Sequence, residues 1–284
     1  MNFSEHRRKL RAVLAGSKCL SPASVFDALS ARVAEAVGYE IGMLAGSVAS
    51  NTTLAAPDLI VLTLTEFADQ VRRIMRVSGL SLVLDADHGY GNALNVMRTV
   101  QELEHAGAAA IMIEDTVMPP RFGAAALEII STAEMVAKLR AALHAREDSA
   151  LIIVGRLAAL KAEDAARAAQ RARAYEATGI DALFITGLTD LGQFDTIRAA
   201  VMLPIIAGFA PMLRREDLAA RGVRLLLQGH QPVAAMVKAL RDVYTHLYNG
   251  GAPSELKPLL ATPDEMQRMV NGAQYAQWQR QYLS

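Results

Sequence analysis

Cysteine is almost absent from this chain: Cys19 is the only one in 284 residues. That excludes an intrachain disulfide and a thiolate-rich metal site, and it fits a reducing compartment. An excess of one charge is missing too, since Lys+Arg and Asp+Glu number 29 each and the formal net charge is zero. No electrostatic footprint for nucleic acid or an anionic membrane surface follows from such a balance. Nor does any uninterrupted apolar run approach the roughly 20 residues that span a bilayer. The stretch from Met1 to Gly16 scatters Glu5, His6, Arg7, Arg8, Lys9 and Arg11 among apolar residues, so it reads as an amphipathic helix and not as a signal. These absences together predict a cytoplasmic protein whose partner is a small molecule, with no nucleic acid and no membrane.

What is present is apolar and periodic. The chain is 52% hydrophobic, enough for one large core, and its length suits a single-domain α/β barrel. Eight short apolar runs read as strands: Cys19 to Ser24, Tyr39 to Ala45, Leu80 to Leu84, Ala109 to Ile113, Ala150 to Val154, Asp181 to Ile185, Leu203 to Ala207 and Val223 to Leu227. Amphipathic segments such as Glu66 to Val77, Ala93 to His105, Thr132 to Ala145 and Lys161 to Ala177 lie between them. The alternation predicts an α/β fold, a (β/α)₈ TIM barrel over residues 1–250, with a doubly wound open sheet as the structural alternative. A C-terminal helical extension follows over 251–284. There Thr262-Pro263-Asp264-Glu265 has capping-box spacing with Pro at the first helical position. Met266, Met269, Val270, Trp278 and Tyr282 give that helix an apolar side for the barrel exterior or for a neighbouring subunit.

A barrel demands that functional groups gather where strands end. The richest such point is Asp85-Ala86-Asp87-His88-Gly89-Tyr90-Gly91 after the third strand. Carboxylates two apart on extended chain point the same way, and a hard cation such as Mg²⁺ takes oxygen ligands on one side with waters completing its octahedron. Gly46-Ser47-Val48-Ala49-Ser50 follows the second strand, Glu114-Asp115 the fourth, Gly155-Arg156 the fifth and Gln228-Gly229-His230 the eighth. Each has a plainer alternative: Ser47 as a turn residue, Glu114 as a helix cap, Arg156 as a surface ion-pair partner, His230 as a satisfied structural histidine. Their coincidence at strand C-ends favours one site.

These residues carry a resemblance to the isocitrate lyase/phosphoenolpyruvate mutase superfamily, and more closely to its oxaloacetate decarboxylase branch. It runs through Ser24-Val25-Phe26-Asp27, Leu29-Ser30-Ala31-Arg32, Gly46 to Ser50, Ala55-Ala56-Pro57-Asp58, Asp85 to Asn95 and Ile113-Glu114-Asp115-Thr116, then thins to Gly155-Arg156 and Gly229-His230. The resemblance implies Mg²⁺, with Mn²⁺ as the alternative, held by Asp85 with Asp58, Asp87 and Glu114 around its waters. It implies a 2-oxo dicarboxylate bound by Ser47, the Val48 amide, Arg156 and His230, with Arg156 and His230 in catalytic roles. It further implies decarboxylation of oxaloacetate, or of a 3-substituted oxaloacetate, to pyruvate and CO₂ through a metal-stabilised enolate. A homotetramer built as a dimer of dimers completes the expectation, often with a C-terminal helix exchanged.

Departures narrow the branch. Where the lyases carry Lys-Lys-Cys-Gly-His, this chain reads Thr116-Val117-Met118-Pro119-Pro120-Arg121-Phe122-Gly123, so the lyase acid is missing. Leu157-Ala158-Ala159-Leu160 stand where most members have Thr or Val followed by polar residues, and Phe209 lacks the phenolic hydroxyl of a Tyr that the decarboxylase branch carries near there; this predicts a pocket that favours a more apolar 3-substituted 2-oxo acid or turns over oxaloacetate poorly. Another C–C or P–C bond cleavage on a 2-oxo acid, or a non-catalytic 2-oxo acid or oxalate binder, remains the alternative. Residues 117–126 read as a candidate lid, with a static loop equally compatible.

Overall fold

The computed structural model describes residues 3–124, 127–208 and 214–283. Its chain begins with α1 (Ser4–Ala15), β1 (Ala23–Ser24), α2 (Ala28–Val37), β2 (Ile41–Leu44), α3 (Gly46–Leu54), α4 (Leu64–Met75), β3 (Ser81–Asp85) and α5 (Ala93–Ala106). It continues through β4 (Ala110–Glu114), α6 (Thr132–Ala145), β5 (Ile152–Leu157), α7 (Ala165–Glu176), β6 (Ala182–Ile185), α8 (Leu191–Arg198), β7 (Ile205–Ala207), α9 (Arg215–Ala220) and β8 (Val223–Leu226). The last helices are α10 (Gln231–Tyr248), α11 (Pro263–Met269) and α12 (Gly272–Tyr282).

Eight parallel strands pair in sequence order from β1 to β8. The sheet closes on itself just before β1, where the Leu20 amide donates to Arg224 O at 2.9 Å and the Leu226 amide donates to Leu20 O at 2.8 Å. The open-sheet alternative is thereby excluded and the (β/α)₈ barrel stands. Strands buried on both sides should be apolar throughout, and every residue of β2, β3, β4, β6 and β7 is buried. The helices lay one stripe against them. In α4, which opens on a Thr63/Glu66 capping box, Phe67, Val71 and Ile74 recur at helical spacing and are buried.

Several boundaries differ from the sequence expectation for identifiable reasons. The run from Cys19 yields only Ala23–Ser24 as strand, because Pro22 has no N–H for the ladder. Leu203 and Pro204 likewise precede β7. At the other ends Asp85, Glu114 and Arg156 belong to their strands and do not follow them. The segment from Gly46 is a helix, and the tail forms two helices broken at Asn271, whose φ is 55°. α1 forms as expected and closes the barrel floor: Arg7 donates from Nε to Ala108 O at 3.0 Å and from Nη1 to Asp148 Oδ2 at 2.8 Å. The tail packs back onto its own barrel, with Arg32 on α2 donating to the Asn271 side chain. Among the described residues no helix is long and apolar enough to cross a membrane.

Candidate active site

Strand register alone assembles the centre. Asp85 pairs with Met112, Glu114 with Arg156, and Arg156 with Phe184. Since Met112 and Glu114 are two apart on β4, they share a face, so Asp85, Glu114 and Arg156 all point into the barrel beside Phe184. Arg156 Nη1 sits 2.5 Å from Asp85 Oδ2 and 2.9 Å from Glu114 Oε2, and its guanidinium lies 5.4 Å from the Phe184 ring centroid. Glu114 also accepts from the Thr116 hydroxyl.

Above this layer is a cavity of about 280 Å³ lined by Ser24, Met43, Ser47, Asp58, Asp85, Asp87, Glu114, Met118, Arg156, Lys161, Phe184 and His230, among others. Every side chain the sequence nominated is there except Val48, which is buried in the core. Its backbone amide belongs to the first turn of α3, where the N–H groups of Gly46, Ser47 and Val48 have no acceptor within the helix. That turn presents the positive end of the helix. Asp87 answers it from a left-handed backbone, φ 48°. A Cβ on Gly46 would lie 2.4 Å from Asp87 Oδ2, so only glycine admits this approach. The Glu114 amide donates to Asp87 O at 2.8 Å, tying the loop after β3 to the end of β4.

Electrostatics show a site with surplus negative charge. Burial, followed by Asp85, Glu114 and Asp58, holds the Asp87 carboxyl well above the usual carboxylate range. Burial raises Glu114 as well, against the pull of Arg156, and burial with Asp85 raises Asp58. Burial works against the charge on Arg156, but Asp85 and Glu114 more than offset it and hold the guanidinium firmly protonated. His230 is held below its ordinary value by burial, with Asp85 and Asp58 opposing. Its Nδ1 lies 2.9 Å from Ser24 Oγ, leaving Nε2 for the cavity.

Two atoms of this centre, Asp85 Oδ1 and Arg156 Nε, are buried without a hydrogen-bond partner, and Glu114 Oε2 meets only the Arg156 guanidinium. Buried polar atoms without partners are rare and call for an explanation. A free Asp85 oxygen among mutually repelling carboxylates fits a divalent cation. Among the described residues no three His, Cys, Asp or Glu groups converge as an all-protein cage. That suits an ion held by one or two carboxylates directly and by others through its waters, as Mg²⁺ prefers.

Sequence reasoning missed the support behind these groups. Asp115, adjacent to Glu114, faces the opposite way and is fully buried. It accepts from the Ala158 amide and from the Tyr175 hydroxyl of α7, both at 2.8 Å, and so fixes the chain just beyond Arg156. Buried Lys138 on α6 donates to His88 O at 2.9 Å and steadies the loop after β3. Lys161 on the cavity rim was read only as the start of a helix. Leu157, Ala158 and Ala159 are buried and are not among the residues that line the cavity. Phe209 lies outside the described residues, as do Ala125 and Ala126 of the candidate lid. The base of that loop is pinned by the Val117 amide donating to Glu128 O at 2.9 Å.

Comparison with known proteins bears on the family. The phosphoenolpyruvate phosphomutase family profile matches residues 10–248. An oxaloacetate decarboxylase of Bradyrhizobium sp. (strain BTAi1) is 51% identical over 261 residues, 91% of each chain. Another, of Rhodopseudomonas palustris (strain BisA53), is 49% identical over 275 residues, 96% of this chain and 94% of its own. Among solved structures, a phosphonopyruvate hydrolase in complex with oxalate and Mg²⁺ covers 100% of both chains at TM-score 0.87 and 26% identity. An oxaloacetate acetylhydrolase with the inhibitor 3,3-difluorooxalacetate covers 95% of this chain and 97% of its own at TM-score 0.79 and 26% identity.

Proposed function

Since the chain belongs to the phosphoenolpyruvate phosphomutase family, we propose that it is a Mg²⁺-dependent carboxy-lyase converting oxaloacetate to pyruvate and CO₂. The observation that carries this reading is the orphaned Asp85 Oδ1 beside the Arg156 ion pair, inside a cavity sized for a small 2-oxo acid. Close identity to relatives named oxaloacetate decarboxylase over nine-tenths of the chain supports the substrate.

Losing CO₂ from a 3-carboxy-2-oxo acid leaves an electron pair that must settle on the 2-oxo oxygen. Asp85 would hold Mg²⁺, with Asp58, Asp87 and Glu114 binding its waters, and the ion would supply Lewis acidity there, typically worth several kcal/mol. The protein's own groups do the rest. Ser47 and the free amides of the first turn of α3 donate to the 1-carboxylate and the 2-oxo oxygen in the manner of an oxyanion hole, at roughly 3 kcal/mol per well-placed donor. Arg156 keeps Nε for a substrate carboxylate while Nη1 orients Asp85 and Glu114. As the C3–C4 bond breaks, CO₂ departs and its bonding pair forms the enolate of pyruvate. His230, steadied through Nδ1 by Ser24, delivers a proton from Nε2 to C3.

The enzyme is further proposed to act in the cytoplasm as a homo-oligomer, a dimer of dimers. α10 supports this, since its 18 residues bury only Val233 against the chain's own barrel. The activity test is pyruvate release from oxaloacetate with and without Mg²⁺, corrected for decarboxylation by the metal in solution and repeated with Asp85→Ala. Metal-dependent pyruvate lost in the variant is the expected result. Acetate and oxalate as products would move the chemistry to hydrolytic C–C cleavage, and no turnover above background would refute the assignment.

A further inference from the structure

One cation of the cavity has no task in the chemistry above. Arg156 is engaged by Asp85 and Glu114, and His230 by Ser24. Lys161 lines the same cavity, yet its ammonium makes no ion pair or hydrogen bond with any described residue. Its backbone is nonetheless held in place, though the residue itself is exposed. It ends the short 3₁₀ turn Ala159–Lys161, its amide donates to Ala158 O at 3.0 Å, and Ala158 is itself clamped by Asp115. The stem runs across Gly187, another lining residue: a Cβ on Gly187, φ 81°, would lie 3.1 Å from Lys161 Cγ. The side chain thus rises from the side of the cavity beside β5 and β6, across the barrel from Ser47 and Asp58, which follow β2.

The geometry points to Lys161 as a specificity-determining residue that receives the substrate carboxylate remote from the metal-chelating end, so that the cavity prefers 2-oxo dicarboxylates to 2-oxo monocarboxylates. This rests on the decarboxylase reading and deepens it. A cavity with four carboxylates repels a dianion, and a cation on its wall that pairs with no described residue offsets that repulsion for the end the metal would not neutralise. The contribution is confined to the ground state. When the remote carboxylate becomes neutral CO₂ its attraction to the ammonium vanishes, so Lys161 aids capture and opposes departure.

The test is steady-state kinetics on oxaloacetate with Mg²⁺ for wild type, Lys161→Met and Lys161→Arg, with oxalate as the competitive probe that lacks a remote carboxylate. Lys161→Met is expected to raise KM by about five- to tenfold while kcat rises and does not fall, the pattern of a lost ground-state contact. The oxalate inhibition constant should move by less than about twofold, and Lys161→Arg should restore most of the KM, because the charge is kept. Wild-type turnover checks the decarboxylase reading independently of either variant. With that turnover in hand, an unchanged KM in Lys161→Met, or an equal weakening of oxalate, overturns the inference alone.

Discussion

Arg156 on β5 reaches across β4 to place Nη1 2.5 Å from Asp85 Oδ2 on β3, while Asp85 Oδ1 stays buried without a partner. The guanidinium is the counter-charge that makes two buried carboxylates tolerable. Arg156→Gln should lower turnover by about a thousandfold, as removal of preorganised charge at a reacting oxygen does. It should also destabilise the metal-free protein by about 3–5 kcal/mol, because Asp85 and Glu114 lose their cation. Urea unfolding in EDTA and in excess Mg²⁺ checks this: the variant should regain more from the metal than wild type does, since the ion supplies the missing positive charge.

Asp85→Asn addresses the metal directly. Ligand linkage predicts that Mg²⁺ at a hundred times its dissociation constant stabilises the wild type by about 2.7 kcal/mol. If Asp85 is the direct ligand, the variant should lose that increment together with metal-stimulated turnover. A thermal shift by Mg²⁺ that survives Asp85→Asn would transfer the ion to another carboxylate.

How far the sequence could be read follows from where each signal resides. Asp85, Glu114 and Arg156 were legible because period-2 alternation fixes which residues of an apolar strand face inward, and the barrel then dictates which end carries chemistry. α3 was not, since Ser47, Ser50, Asn51, Thr52 and Thr53 are indifferent helix formers. Its helix is held by tertiary bonds such as that from Gln70 Nε2 of α4 to Thr52 Oγ1 at 2.9 Å. The exposed stripe of α10 carried no signal of its own, as its helical periodicity matches that of helices buried against the barrel. The Asp115–Tyr175 pair, 60 residues apart, leaves no local pattern at all.

Tyr175→Phe tests that pair. The change keeps the ring in its fully buried site and deletes only the hydroxyl that donates to Asp115 Oδ2. An under-satisfied buried carboxylate should cost about 1–3 kcal/mol by urea unfolding. Because Asp115 also holds Ala158, two residues past Arg156, kcat should fall several-fold with little change in KM. A stability loss without any change in kcat would assign the pair to the core alone.

His88 gives the acid limb of stability a definite sign. Burial, helped by Lys138, holds its imidazole down from its ordinary value of 6.5 to about 4. Between those values the unfolded chain binds a proton that the fold refuses, so stability is fully present above about pH 6.5 and declines as pH falls toward 4. The raised carboxyls of Asp87 and Glu114 contribute the opposite slope, but they are common to wild type and His88→Asn. The difference between the two proteins therefore isolates His88: the stability of the variant relative to wild type should rise as pH falls from about 6.5 toward 4. Parallel curves would show that His88 does not govern the limb.

The last prediction concerns α10. Val237, Leu240, Tyr244 and Leu247 form a continuous stripe on it, each more than two-fifths exposed. Close by, Leu29, Val33 and Val37 of α2 with Pro232 and Met236 line an apolar groove of about 500 Å³. A stripe and a groove that no described residue covers would be the two halves of a self-complementary contact in the homo-oligomer proposed above. α11 meanwhile is committed to its own α2, with Arg32 also donating to Arg268 O at 3.4 Å. Val237→Glu combined with Tyr244→Glu should then dissociate the oligomer in light scattering after gel filtration, because each buries an unpaired carboxylate in the contact. Removing residues 272–284 should leave it assembled. If the truncation dissociates the protein and the double substitution does not, the exchange belongs to the tail and not to α10.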